Sequence, residues 1–294
     1  MKYKDALDSY FRTRHFASLS VSSQRGYEAC LTSFGRMSVM GKRINNININ
    51  SINVLFCTEM YDTWESETST SNANHNARVF SVLMNYLVSL DLLNLNPMAK
   101  VRKRTSTPRS VIWTHDQVIK FLDVAFTKFE WRNIGMIVLM CYEWGQRPVD
   151  IRNLKWDEAD LDERFVTITQ SKRGAVVELP IPDNIFEMLS EQKEDWDFQQ
   201  WVVPYHKAAD RSYRPLTVYN MTALLAEVKA IVGLPDDLRV GDLRKTAIVQ
   251  MIESEVDQLA IQSVSGHKSV ASLNPYNKFS LKTAKSALDR RQRQ

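Results

Sequence analysis

The stretch that most limits how this chain can fold is residues 98–112. Lys100-Val-Arg102-Lys103-Arg104-Thr-Ser-Thr-Pro108-Arg109 is basic, rich in hydroxyl side chains and broken by a proline. Such a run belongs on an exposed linker, because a core cannot bury that many charges without partners. Apolar residues recur at helical spacing on both sides of it. A chain of 294 residues divided there is expected to form two domains, a helical one over 1–100 and a second over 113–280. A basic linker over 101–112 joins them, and a basic tail over 281–294 follows.

In the first domain, Ala6, Leu7, Tyr10 and Phe11 share a face of one helix, and Tyr27, Leu31 and Phe34 of another. Val79, Leu83 and Leu87 mark a further helix, expected to run to about Asn94 and to stop at Pro97. Residues 44–54 alternate apolar and polar like a strand. They are read as a loop leading into a helix near Ser51, because a lone strand among helices has no partner.

The second domain opens on a capping box, Thr114-His-Asp-Gln117, flanked by Trp113 and Val118 as a hydrophobic staple. Helices are expected over 115–127, 134–144, 216–232 (ending at Gly233), 243–254 and 256–264, with Pro148 opening a short one that carries Asp150. Phe165-Val-Thr-Ile-Thr and Ala175-Val-Val-Glu-Leu alternate as paired strands, which puts Lys172 at the tip of a hairpin. The fold class is therefore mainly α, with a small antiparallel β-sheet in the second domain.

Bulk properties narrow the function classes. The longest apolar run, Ile134 to Tyr142, is interrupted by Gly135 and is too short to span a bilayer. The start, MKYKDALDSYF, carries charges where a signal peptide needs an apolar core. The expectation is a soluble cytoplasmic protein. Cys30, Cys57 and Cys141 are scattered and have no metal-ligand spacing, so they are read as structural. His15, His75, His115 and His206 also lack partners at ligand spacing, and Trp131, Trp144 and Trp156 are assigned to the core. Net charge is +4, which is weak evidence by itself. The clustering of cations near 100–109 and again at Lys278, Lys282, Lys285, Arg290, Arg291 and Arg293 says more, since such runs release counterions from a phosphate backbone.

Four segments of the second domain carry the chemistry. They are Gly145-Gln-Arg147-Pro-Val-Asp150, the hairpin Lys172, Gly241-Asp-Leu-Arg244-Lys245-Thr, and Ser265-Gly-His267 followed nine residues later by Tyr276. Singly, each is ordinary: a surface arginine, a turn lysine, a loop tyrosine. Together, in this order, they resemble the tyrosine recombinase family, the phage integrases and their Xer-type relatives. Asn153-Leu-Lys-Trp156 and Gly233-Leu-Pro sit where the family has similar flanks.

The resemblance implies a two-domain, C-shaped clamp on double-stranded DNA and a site-specific recombinase of integrase or resolvase type. Tyr276 would be the nucleophile, Arg147 and Arg244 the clamps on the phosphate, Lys172 the general acid and His267 a phosphate ligand, with Asp150 orienting an arginine. Lys100, Arg102, Lys103, Arg104, Arg109, Arg173 and Lys245 would contact DNA. The reaction would pass through a 3′-phosphotyrosine and a Holliday junction in a homo-tetramer. It would need no metal or ATP, and accessory DNA-bending or directionality proteins could assist. The tail after Tyr276 would pack onto a neighbouring protomer. The length suggests no additional N-terminal arm-binding domain, so the expectation is a simple recombinase, either a Xer-like resolvase or a compact integrase of a mobile element, and the diverged motifs, Gly241 among them, favour the latter.

One position departs from the pattern. Where the family has the first residue of His-x-x-Arg, this chain has Gly241, which has no side chain to move a proton. Arg239 or Lys245 could compensate. The alternatives are a type IB topoisomerase-like enzyme and a DNA-binding protein of the same fold with weakened catalysis.

Overall fold

A computed structural model describes residues 1–172, 174–207, 212–276, 288 and 291. The chain divides into two compact units, Met1–Arg109 and Ser110–Gln294.

The first unit is built from α1 (Tyr3–Phe11), α2 (Arg14–Ser18), α3 (Val21–Arg36), a two-residue hairpin β1 (Ser38–Val39) and β2 (Lys42–Arg43), α4 (Val54–Glu67) and α5 (Thr70–Ser89). Its core takes Tyr3 and Tyr10 from α1, Leu31 and Phe34 from α3, Trp64 from α4, and Phe80, Leu83 and Leu87 from α5. The Phe34 and Trp64 rings meet at 4.6 Å between centroids. Four helices begin on a side chain that accepts a hydrogen bond from the first turn, at Thr13, Ser20, Asn53 and Ser69.

Two expectations change here. Residues 44–51 form two 3-10 turns, Ile44–Asn46 and Ile49–Ser51, which bury Ile44 and Ile49, and α4 starts only at Val54. The strand-like alternation comes from short turns separated by extended residues. The helix expected to run to about Asn94 ends at Ser89 instead, two residues before Asp91 takes a left-handed φ of 57°. Pro97 opens a 3-10 turn, Pro97–Lys100, capped by Asn96.

The second unit contains α6 (His115–Ala125), α7 (Phe129–Trp144), α8 (Pro148–Arg152), a sheet of β3 (Ala159–Asp160), β4 (Phe165–Thr169) and β5 (Val176–Pro180), α9 (Asp183–Trp196), a hairpin of β6 (Pro204–Lys207) and β7 (Ser212–Pro215), α10 (Val218–Val232), α11 (Val240–Glu253) and α12 (Gln258–Ser265). The capping box is present, with the Gln117 backbone N–H donating to Thr114 Oγ1, and both staple residues are buried. Helix α7 is apolar almost all round and packs against α6, α10 and α11, as a central helix must. In the antiparallel sheet, Val166 pairs with Leu179 and Ile168 with Val177, and all four face the core. The β6–β7 hairpin had no sequence expectation.

Helix α11 begins three residues earlier than the periodicity implied, so Gly241 and Asp242 lie in its first turn. Trp113 anchors the start of this unit to α11: its backbone N–H donates to Thr246 Oγ1 at 2.9 Å and its ring N–H to the Arg239 carbonyl at 3.1 Å. Among the described residues, no helix is long and apolar enough to cross a membrane.

Candidate active site

Residues at the ends of α7, β4 and α12 meet a side chain of α11 in one buried network. At its centre is Gln170, which follows β4 and has no solvent exposure. Its Oε1 accepts from Arg147 Nη1 at 2.9 Å. Its Nε2 donates to Gln146 Oε1 at 2.7 Å and to the Ser265 carbonyl at 2.8 Å. Gln146 in turn donates to the carbonyls of Trp144 and Val264, so the end of α7 is tied to the end of α12. Arg244, on α11, donates to the Gly145 carbonyl at 2.9 Å and to the same Ser265 carbonyl at 2.7 Å. A buried polar group left without its bond costs about 1–3 kcal/mol. The network therefore fixes both guanidinium groups only when every member is in place.

Two glycines make this approach possible. Gly145 ends α7 with a φ of 60°, which turns the chain so that its carbonyl faces Arg244. Gly266 ends α12 with a φ of 67°, and a Cβ there would stand 2.5 Å from Gln170 Nε2.

Pro148 opens α8 and leaves Arg147 as the residue before its first turn. One turn on, the buried Asp150 faces Arg147, with Oδ2 3.6 Å from Nη1. Its Oδ1 accepts from the Ser171 backbone N–H at 2.9 Å. The same carboxylate thus holds an arginine and the base of the hairpin whose tip carries Lys172, which is exposed.

Ser265 and His267 complete the corner. The Ser265 hydroxyl is 2.6 Å from the Ile261 carbonyl and 2.6 Å from His267 Nδ1. The His267 ring meets the Tyr276 ring at 5.8 Å between centroids, edge to face. Tyr276 ends a 3-10 segment, Val270–Tyr276, and packs on an apolar patch of Ile248, Ile261 and Leu273.

Charge is concentrated at this point. Arg244 is only 6% exposed. Burial pushes its guanidinium down to a pKa of about 10, the Arg147 charge adds to the effect, and Tyr276, Asp150 and Cys141 oppose it. A buried cation beside a second cation is a site that favours an anion.

The structure thus brings together Arg147, Asp150, Arg244, His267 and Tyr276, with Lys172 on the adjoining hairpin. Gly241 lies exposed in the first turn of α11, and a Cβ there would meet nothing within 4 Å. Gln146, Gln170 and Ser265 had no role in the sequence reading. Gln146 lies inside a quoted motif and Ser265 opens another, but Gln170 had no signal beyond being a polar residue at the end of an apolar strand.

The cationic residues expected at DNA differ in exposure and in partners. Lys100, Arg102 and Lys103 are exposed. The Arg104 guanidinium pairs with Glu65 and Asp62. Arg109 is exposed, and Lys245 is half-buried. Arg173 and residues 277–287, 289–290 and 292–294 lie outside the described residues, and with them most of the basic tail.

The profile described as the phage integrase family matches residues 112–282, more than half of the chain. The chain belongs to the phage integrase family. The matched span takes in every residue of the network above. Tyrosine recombinase XerA of Pyrococcus furiosus is 25% identical over 185 residues, 62% of each chain. The chain thus spans about three fifths of the length of that curated relative. Among solved structures, the Tn1549 transposon integrase in complex with a circular-intermediate DNA superposes with a TM-score of 0.78 at 14% identity, covering 99% of both chains. A lambda integrase tetramer bound to a Holliday junction superposes with a TM-score of 0.75 at 18% identity, covering 95% of this chain and 78% of that one. At these identities the likenesses bear on the fold alone.

Proposed function

We propose that this phage integrase family member is a site-specific DNA recombinase that cuts and rejoins duplex DNA through Tyr276. The observation that carries the reading is the convergence of Arg147 and Arg244 on one hydrogen-bonded network, with the Tyr276 ring packed on His267 beside it.

The chemistry follows from those groups. Tyr276 Oη attacks a DNA phosphorus and the 5′-oxygen leaves. Negative charge grows on the non-bridging oxygens, and Arg147 and Arg244 hold it. Guanidinium is planar and always charged, so two of them can clamp a phosphate. Their backing by Gln170, Gly145 and Ser265 means they need no reorganisation as charge develops. Lys172 protonates the leaving 5′-oxygen from the hairpin tip. Asp150 links the two events, since it pairs with Arg147 and anchors the hairpin. His267 hydrogen-bonds the phosphate. The phosphotyrosine conserves the bond energy, so religation requires no ATP.

Duplex DNA would be held largely through its phosphates, with the basic run Lys100–Lys103 contributing. Strand exchange would proceed in a homo-tetramer through a Holliday junction, in keeping with the lambda integrase assembly to which the fold is similar. Arg109, Arg173 and Lys245 remain proposed DNA contacts.

The test is trapping of a covalent adduct. A suicide duplex, nicked so that the cleaved end diffuses away, is selected by the protein from a randomised pool and incubated with the full chain. A protein–DNA adduct resistant to denaturation is expected, and Tyr276→Phe should abolish it while leaving the gel shift intact. No adduct from the unaltered chain on any selected duplex would sink the reading.

A further inference from the structure

We propose that His267 is the base that takes the phenolic proton of Tyr276 during strand cleavage. The inference rests on the recombinase reading above and deepens it.

Free tyrosine has a pKa of about 10, so attack near neutrality requires a proton acceptor. Gly241 offers none: it has no side chain, and the space beside it is open. Arg239 and Lys245, its cationic neighbours in sequence, carry no lone pair to receive a proton. The acceptor has to come from elsewhere in the site.

The hydrogen bonds of Ser265 fix which nitrogen of His267 can serve. The Ile261 carbonyl can only accept, so the single Ser265 hydroxyl proton is committed to it at 2.6 Å. The Ser265 oxygen must then accept from His267 Nδ1, also at 2.6 Å. The reverse arrangement would set two oxygen lone pairs against each other at that distance. Neutral His267 therefore carries its proton on Nδ1 and presents a lone pair at Nε2. Because Ser265 is fully buried, no water competes for its hydroxyl.

The ring that holds this lone pair is already in edge contact with Tyr276. Catalytic hydrogen bonds are commonly long before substrate binds and tighten in the complex. Among the described residues, the ionisable groups bearing on this corner include Tyr276 itself and Arg244, which donates to the Ser265 carbonyl, with Arg147 and Asp150 beyond it.

The step balances as follows. The Tyr276 Oη–P bond forms as the P–O5′ bond breaks. The phenolic proton passes to His267 Nε2, and Lys172 gives a proton to O5′. His267 is then an imidazolium. It keeps Nδ1–H on Ser265 and directs the new Nε2–H to a non-bridging phosphate oxygen, so one residue serves as base and then as phosphate donor. Religation reverses each transfer.

The experiment measures single-turnover adduct formation against pH on the selected suicide duplex, for the full chain and for His267→Gln. Glutamine can still donate to the phosphate but cannot accept a proton as a base. The expected result is a cleavage rate lower by about 10²-fold or more, with loss of the acid limb of the profile and normal DNA binding by gel shift. Replacing Tyr276 with a fluorotyrosine, a more acidic phenol, should narrow the deficit of His267→Gln. If that variant does not bind DNA, Ser265→Ala is used instead. It frees the tautomer and should slow cleavage several-fold with the acid limb kept. An active unaltered chain whose rate and profile survive these substitutions overturns the base assignment alone, whereas an unaltered chain without adduct overturns the recombinase reading as well.

Discussion

In the proposed reaction, Arg244 would serve both the fold and the chemistry. It bonds the carbonyls of Gly145 and Ser265, which are far apart in sequence, and so closes the site while carrying its charge. With its pKa lowered by burial to about 10, stability rises with pH above that value as the group becomes neutral, and is lost as pH falls back through about 10. At neutral pH the protein carries the full cost of a buried cation, which a bound phosphate would relieve. Inorganic phosphate should therefore raise the melting temperature, and Arg244→Lys should reduce that rise. Lysine cannot reach both carbonyls in a fixed plane, so the same variant should lower the rate of adduct formation by about 10²–10³-fold. Calorimetry with and without phosphate, alongside the cleavage assay, checks both. A variant that cleaves at the unaltered rate would remove Arg244 from the phosphate clamp.

At the scale of elements, the site is assembled from helix ends. Helix α7 finishes at Gly145, α8 starts after Arg147 and α12 finishes at Gly266, so backbone carbonyls and motif side chains project into one space. Gly266→Ala tests this arrangement. A left-handed backbone costs a non-glycine residue about 1–2 kcal/mol. The added Cβ would also push the Gln170 amide away from its partners, at about 1–3 kcal/mol for each buried group left unpaired. The variant should unfold at clearly lower urea concentration with an unchanged slope, and cleavage should slow because Arg147 loses its Gln170 acceptor and keeps only Asp150. An unchanged midpoint would show that Gln170 tolerates displacement.

Across the whole molecule, chemistry and much of the expected DNA grip are divided between the units. Every residue of the network belongs to Ser110–Gln294, while Lys100, Arg102 and Lys103 belong to Met1–Arg109. The second unit has its own extensive core. A fragment of residues 110–294 should therefore fold and still form the Tyr276 adduct, with weaker binding to duplex DNA. Its plot of log affinity against log salt should be shallower by about 0.9 for each phosphate that the fragment no longer neutralises. Fluorescence anisotropy over a salt series measures this, and a slope equal to that of the full chain would take the basic run out of the interface.

What could be read from sequence alone was whatever depends on near neighbours. The capping box at Thr114, the Pro148 start, the hairpin of β4 and β5 and the helix end at Gly233 are set by interactions no more than 15 residues apart along the chain. The family pattern also marked Arg147, Arg244, His267 and Tyr276 without coordinates. The end of α5 eluded this reading because a left-handed Asp91 stops the helix before the proline does. So did Gln170, whose partners lie 23 to 95 residues away along the chain. Which nitrogen of His267 bears the proton depends on a buried serine caught between a helix carbonyl and an imidazole. Only packing decides that, because a hydrogen bond needs its partners a few ångströms apart and sequence separation does not record distance.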